Sequence, residues 1–162
     1  MAFAPAAHHG SNREELMKEI AVGLIGAGTV GGGVVKILHD RIPALKAAGI
    51  PIRIARIADK ATELFTRLPV GDAQCTADAA DVINDPAINI VVELIGGTTF
   101  ARKVVLDALS AGKHVVTANK ALIAEYGPEL FECAAAHDVS LYFEAAVGGG
   151  MPVIKTIREG LV

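Results

Sequence analysis

The chain is 162 residues long and 52% hydrophobic, with 4% aromatic residues, no tryptophan and a net charge of −3. That length suits one domain with a real core, and apolar content drawn from Ala, Val, Ile and Leu suits buried parallel strands covered by helices. Mild acidity without a run of like charges gives no electrostatic footprint for nucleic acid or an anionic membrane surface, and no apolar run approaches the roughly 18 residues of a membrane span.

Two cysteines, Cys75 and Cys133, lie far apart without metal-ligand spacing, and the five histidines form no ligand pair. This suggests neither a disulfide framework nor a zinc site and favours the reducing cytoplasm. Residues 1–12 carry Ala, Pro, two His and Gly-Ser without periodicity or a signal-peptide core, so a mobile tail is expected there. A domain over 13–150 follows, opening on a short helical turn at 13–19.

Ile20–Ile25 reads as the first strand. It runs into Gly26-Ala27-Gly28-Thr29-Val30-Gly31, a G-x-G-x-x-G turn, and then into the helical stripe Val30, Val34, Val35, Ile37, Leu38. In that context Gly26 makes the tight turn, Gly28 leaves room for a diphosphate and Gly31 lets helix and strand approach closely. The helix N-terminus supplies N–H groups to the anion. Pro43 is expected to bend or end the helix before Ala44–Ala48, with a stop at Gly49.

Ile50–Ala58 alternates as a second strand, Ala61–Leu68 reads as a short helix, and Cys75-Thr76 as a short strand. Asp78 is placed as the N-cap of a helix over 79–84, which Asp85-Pro86 breaks. Ile88–Ile95 is the next strand, closed by Gly96-Gly97, and Thr98 or Thr99 caps a helix that ends at Gly112. His114–Thr117 is a strand, Pro128 suits the first position of a helix over 128–136, and Leu141–Ala145 is the sixth strand. After Gly148–Gly150, a helix is expected from Pro152.

Strands alternating with helices through short glycine-bearing turns predict an α/β doubly wound parallel sheet, a Rossmann-type dinucleotide-binding fold. Ligand then lies outside the carboxyl ends of the strands, where Gly26–Gly31, Asp59-Lys60, Gly96–Thr98 and Ala118–Lys120 all fall.

Asp59 ends strand two, where an acidic residue accepts the ribose 2′-hydroxyl, and Lys60 beside it can pair with a 2′-phosphate. The pair leaves NAD and NADP both open; the alternative is an ordinary strand-end turn. Glu93, inside an apolar strand, needs a partner, and either holds loop N–H groups or acts directly in catalysis. Lys120 can reach the nicotinamide edge or a substrate carbonyl, or be a solvated lysine in a helix's first turn. The loop after Glu144 either offers carbonyls to a hard cation or hinges into a following domain.

Four segments together resemble the N-terminal part of homoserine dehydrogenase: 23–31 (GLIGAGTVG), 91–98 (VVELIGGT), 112–122 (GKHVVTANKAL) and 143–154 (FEAAVGGGMPVI). The resemblance spans about residues 19–162. It implies an oxidoreductase that interconverts L-homoserine and L-aspartate 4-semialdehyde with NAD or NADP, on the branch to threonine, methionine and isoleucine. It further implies that Thr29 and Val30 meet the diphosphate, that Thr98, next to Gly97, lies along the cofactor, and that Lys120 is the nicotinamide-side lysine. A sodium-like cation is implied at Glu144, Val147, Gly149 and Met151, largely through backbone carbonyls.

In the family the substrate-binding acidic residues and catalytic lysine belong to a second domain, whose start would be residues 151–162. The expectation is therefore a cofactor-binding part, inactive alone, with the small substrate and a homodimer interface supplied by the rest. Two other readings are a stand-alone nucleotide-sensing module and, more weakly, an adenosylmethionine-binding methyltransferase.

Overall fold

In the computed structural model, residues 19–151 and 153–160 are described. The expected tail and nearly all of the expected 13–19 turn lie outside them, as do Pro152 and the last two residues. Six strands form one sheet in the order β3-β2-β1-β4-β5-β6. They are β1 (Ile20–Ile25), β2 (Ile52–Ala58), β3 (Gln74–Thr76), β4 (Ile90–Glu93), β5 (His114–Thr117) and β6 (Leu141–Tyr142). Every pairing is parallel. The strand order reverses between β1 and β4, which in this class of sheet opens the ligand crevice.

Among the described residues, six helices connect or follow the strands: α1 (Thr29–Ala47), α2 (Ala79–Ile83), α3 (Thr99–Ser110), α4 (Lys120–Ala136), α5 (Glu144–Val147) and α6 (Val153–Gly160). A 3-10 turn spans Thr62–Arg67, a tighter coil than the short helix expected there. The core has two parts, one on each sheet face. Ala21 and Ile25 of β1 pack with Val82, Val105, Leu109 and Leu130 on one side, while Leu24 packs with Val35 and Ile57 on the other. This alternation of neighbouring β1 residues is the two-residue period of a strand buried on both faces.

β2 breaks that period once. Val22 pairs with Ile54 and Gly23 with Arg56, so Ala55 is an extra, bulged residue. Ile54 and Ile57, three apart, therefore pack into the same cluster, while Ala55 and Ala58 join the other. A bulge turns the rest of a strand over relative to a simple alternation.

Three expected boundaries are corrected. Pro43 and Pro128 both lie inside continuous helices rather than at an end or a beginning. Both are exposed, so the carbonyl each leaves without an N–H faces water, and the helix survives. α4 starts at Lys120 because Asn119 caps it, its side-chain oxygen accepting the Leu122 N–H at 3.1 Å. β6 is only two residues long, and Glu144 and Ala145, expected in that strand, form helix α5. The expected Asp78 cap is present, its side chain accepting the Ala80 N–H at 2.9 Å, whereas Thr98 stands at the N-cap position of α3 but makes no side-chain cap bond.

Candidate cofactor site

The glycine turn shows why each glycine stands where it does. Gly26 has φ +99°, and a Cβ there would come within 2.6 Å of the Leu94 carbonyl group. A Cβ on Gly31 would lie 1.8 Å from the Gly26 carbonyl oxygen, so α1 reaches this close to β1 only without a side chain. A Cβ on Gly28 would meet nothing within 4 Å. Gly28 is also the N-cap of α1 and offers no capping side chain, which leaves first-turn N–H groups to another acceptor. Two glycines thus serve the packing, and the third keeps an open face in front of a helix N-terminus. This cradle fits a diphosphate.

Two hollows flank the turn at the carboxyl ends of the strands, sharing Leu94 as a wall. The larger, about 610 Å³, is bordered by Gly26, Gly28, Asp59, Lys60, Asp78 and Phe100. Lys60 is exposed, with its ammonium 5.4 Å from the centroid of the Phe100 ring, a cation–π distance. Asp59 reaches inward instead. One carboxyl oxygen accepts the Ala27 N–H at 2.6 Å and the other the Ala61 N–H at 2.8 Å. The strand-two carboxylate thus clamps the glycine turn to the end of β2, a contact across 32 residues that no local signal announces.

The smaller hollow, about 420 Å³, is bordered by Val30, Glu93, Gly96, Asn119, Lys120 and Ala145. Val30 is 58% exposed on the first turn of α1. Lys120, the first residue of α4, is exposed. Gly96 and Gly97, at φ +81° and +70°, turn the chain from β4 to α3. Thr98, half-buried, follows them, and Thr29 is exposed beside Gly28.

Between these walls runs a polar network. Glu93 and Thr117 are register partners on β4 and β5, and neither is exposed at all. The Thr117 hydroxyl donates to Glu93 Oε2 at 2.6 Å, and the Ile95 N–H donates to Oε1 at 2.8 Å. Thr117 Oγ1 in turn accepts the Asn119 N–H at 3.0 Å, and Asn119 Nδ2 donates to the Gly97 carbonyl at 2.6 Å. The expected partner of Glu93 is therefore a hydroxyl and a loop N–H. Thr117 and Asn119 were not singled out in the sequence, because their part depends on strand register.

A second buried polar group lies among the amino-terminal starts of the strands. Lys113 Nζ donates to the carbonyls of Asp85 and Ile88 at 2.7 and 2.8 Å. Burial pushes the Lys113 ammonium down from its ordinary range, against the pull of Asp85. It belongs to the scaffold, away from the hollows.

The expected cation segment adjoins the smaller hollow through Ala145 and Ala146. The Glu144 carbonyl accepts the Gly148 N–H at 3.1 Å and its carboxyl the Ile154 N–H at 3.2 Å, while the Met151 carbonyl accepts the Val153 N–H at 2.8 Å. Val147 ends α5, and Gly149 has φ +59°. Among the described residues no group of three or more His, Cys, Asp or Glu side chains gathers to hold a metal, and none of the helices is long and apolar enough to cross a membrane.

A parallel sheet in this order, a glycine turn after β1 and a crevice at the switch point define a Rossmann-type dinucleotide-binding domain. The family model described as homoserine dehydrogenase, NAD binding domain, matches residues 26–144. A homoserine dehydrogenase of Pseudomonas aeruginosa is 49% identical over 90% of the chain, and one of Bacillus subtilis is 44% identical over 90%. The crystal structure of a homoserine dehydrogenase from Thiobacillus denitrificans superposes with a TM-score of 0.81 at 49% identity, covering 89% of the chain. The chain belongs to the homoserine dehydrogenase family, in its NAD-binding domain. It spans about a third of the length of these relatives, 33%, 34% and 33% respectively.

Proposed function

We propose that the chain is the cofactor-carrying part of an enzyme that converts L-homoserine and NAD(P)+ into L-aspartate 4-semialdehyde, NAD(P)H and a proton, in the biosynthesis of threonine, methionine and isoleucine. The observation that carries this reading is the pair of hollows that share Leu94, the larger bordered by the open Gly28, on a chain whose family match covers most of the lining of both. When bound, the nicotinamide ring accepts the hydride from the substrate carbinol carbon. The chain's own residues bind and orient. Gly28, with the N-terminus of α1 at Thr29 and Val30, holds the diphosphate, and Gly26 and Gly31 allow the close packing that presents that N-terminus. Asp59 and Lys60 border the adenosine end. Gly97 and Thr98, in the turn between β4 and α3, are assigned to the cofactor by the family resemblance, and Lys120 stands at the nicotinamide end as an electrostatic contact.

Asp59 and Lys60 together support either cofactor: the carboxyl suits a ribose hydroxyl, while the exposed ammonium suits a 2′-phosphate. The backbone carbonyls of Glu144, Val147, Gly149 and Met151 would offer a neutral oxygen donor set, a chemistry that suits a sodium-like ion better than a divalent one, and those of Glu144 and Met151 already accept the Gly148 and Val153 N–H groups. We place the small substrate, a homodimer and a cytoplasmic setting with the whole protein.

Calorimetric titration of the chain with NAD, NADP and adenosylmethionine tests the reading. Saturable binding of a nicotinamide dinucleotide is expected; binding of adenosylmethionine alone would overturn it.

A further inference from the structure

Glu93 is a costly residue to bury: it has no exposed surface, and no cation is among its hydrogen-bonding partners. An apolar pair at the Glu93–Thr117 register would burden the core less. What the polar pair adds is direction. Asn119 N–H points to Thr117, the Thr117 hydroxyl points to Glu93, and Ile95 N–H points to the other oxygen of Glu93. Asn119 then closes the circuit at both ends of its side chain, donating to Gly97 O and accepting from Leu122 N–H.

The circuit joins the loop after β4 to the first turn of α4. Gly96 and Lys120, which face the same hollow, come from those two segments. Glycines at φ +81° and +70° give the 96–97 loop little stiffness of its own, so its position relative to Lys120 is set by these bonds.

We infer that Glu93, acting through Thr117 and Asn119, is a positioning residue that fixes the Gly96–Gly97 loop and the Lys120 turn as one wall of the smaller hollow, shaping it for the nicotinamide half of the cofactor. The inference rests on the dinucleotide reading above. It predicts a loss confined to one half of the cofactor, which a general weakening of the fold would not produce.

The experiment is a binding titration of the chain with NADH or NADPH and, separately, with ADP, which carries the adenosine half alone. Thr117→Val keeps the shape and removes the hydroxyl. It is expected to weaken dinucleotide binding roughly tenfold or more while leaving ADP affinity within about twofold, and Thr117→Ser is expected to restore the dinucleotide. Glu93→Gln, with one acceptor oxygen where two are needed, should show the same selective loss. Should Thr117→Val not fold, Asn119→Ala, at a half-buried position, cuts the Gly97 link and carries the same prediction. Equal losses for ADP and dinucleotide, or unchanged dinucleotide affinity, would overturn the inference and leave the cofactor reading standing. A wild-type chain that binds neither compound would remove both.

Discussion

At the scale of single residues, the glycine turn separates packing from binding. Gly31→Ala would drive a methyl group to 1.8 Å from a backbone oxygen, and neither helix nor strand can yield that distance cheaply. A loss of about 3 kcal/mol or more in urea-unfolding stability is expected, with cofactor binding lost alongside it. Gly28→Ala adds its methyl to open space. It should cost no more than about 1 kcal/mol of stability, as a poorer N-cap, yet weaken dinucleotide binding sharply, because the methyl stands where the diphosphate approaches. Comparable stability losses in the two variants would contradict this division.

Asp85 gives a residue-scale prediction in pH. A hydrogen bond from the Ala87 N–H, opposed by burial and aided by Arg56 at 3.2 Å, holds its carboxyl below the ordinary carboxylate range. A carboxyl depressed on folding contributes stability that is complete above its unfolded pKa and is lost as pH falls through the folded value. Asp85→Asn should therefore be less stable than the wild type by about 1 kcal/mol at pH 7, with the difference shrinking below about pH 4. Urea midpoints measured at pH 7 and pH 3 check this; a constant gap would show that the charge is not responsible.

At the scale of elements, the two helix-interior prolines invite a direct test. Pro43 and Pro128 each remove one N–H from helices that tertiary packing holds together, α1 through Val35 and α4 through Leu122, Leu130 and Ala134. Since both prolines are exposed, Pro43→Ala and Pro128→Ala should each raise stability, by about 1 to 3 kcal/mol, without disturbing the core. Thermal melts of the two variants measure the gain, and a fall in melting temperature would show that these prolines hold a bend the fold needs.

The same scale shows how far the sequence could be read. β1, β5 and the capping of α2 by Asp78 were legible because their signals are local: an apolar run ended by glycine, a β-branched run, an Asp before a helix. The course of α1 past Pro43 and the early start of α4 were not: both prolines lie on exposed helix positions where the missing hydrogen bond meets water, and the Asn119 cap starts α4 well before Pro128. A simple alternation over 50–58 would put Ile54 and Ile57 on opposite faces, and the bulge at Ala55 explains why they share one.

For the molecule as a whole, ligand linkage supplies the prediction. A compound that binds only the folded state raises stability with its concentration, by about 2.7 kcal/mol at a hundred times its Kd. NAD or NADP should raise the melting temperature of the chain progressively, and adenosylmethionine should leave it unchanged. A melting temperature indifferent to both dinucleotides would refute the cofactor site at the level of the whole fold.

The sequence by itself determined that a strand, a glycine turn and a helix open a parallel α/β sheet, and that four named segments fall at strand ends. In a parallel sheet all carboxyl ends lie on one edge, so the convergence of those segments followed without knowledge of the strand order. Only the tertiary structure decided what meets what along that edge. Asp59 reaches Ala27 across 32 residues and Thr117 reaches Glu93 across 24. Both bonds depend on strand order, register and one bulge, and these are set by packing over the entire sheet, which no local run of residues encodes.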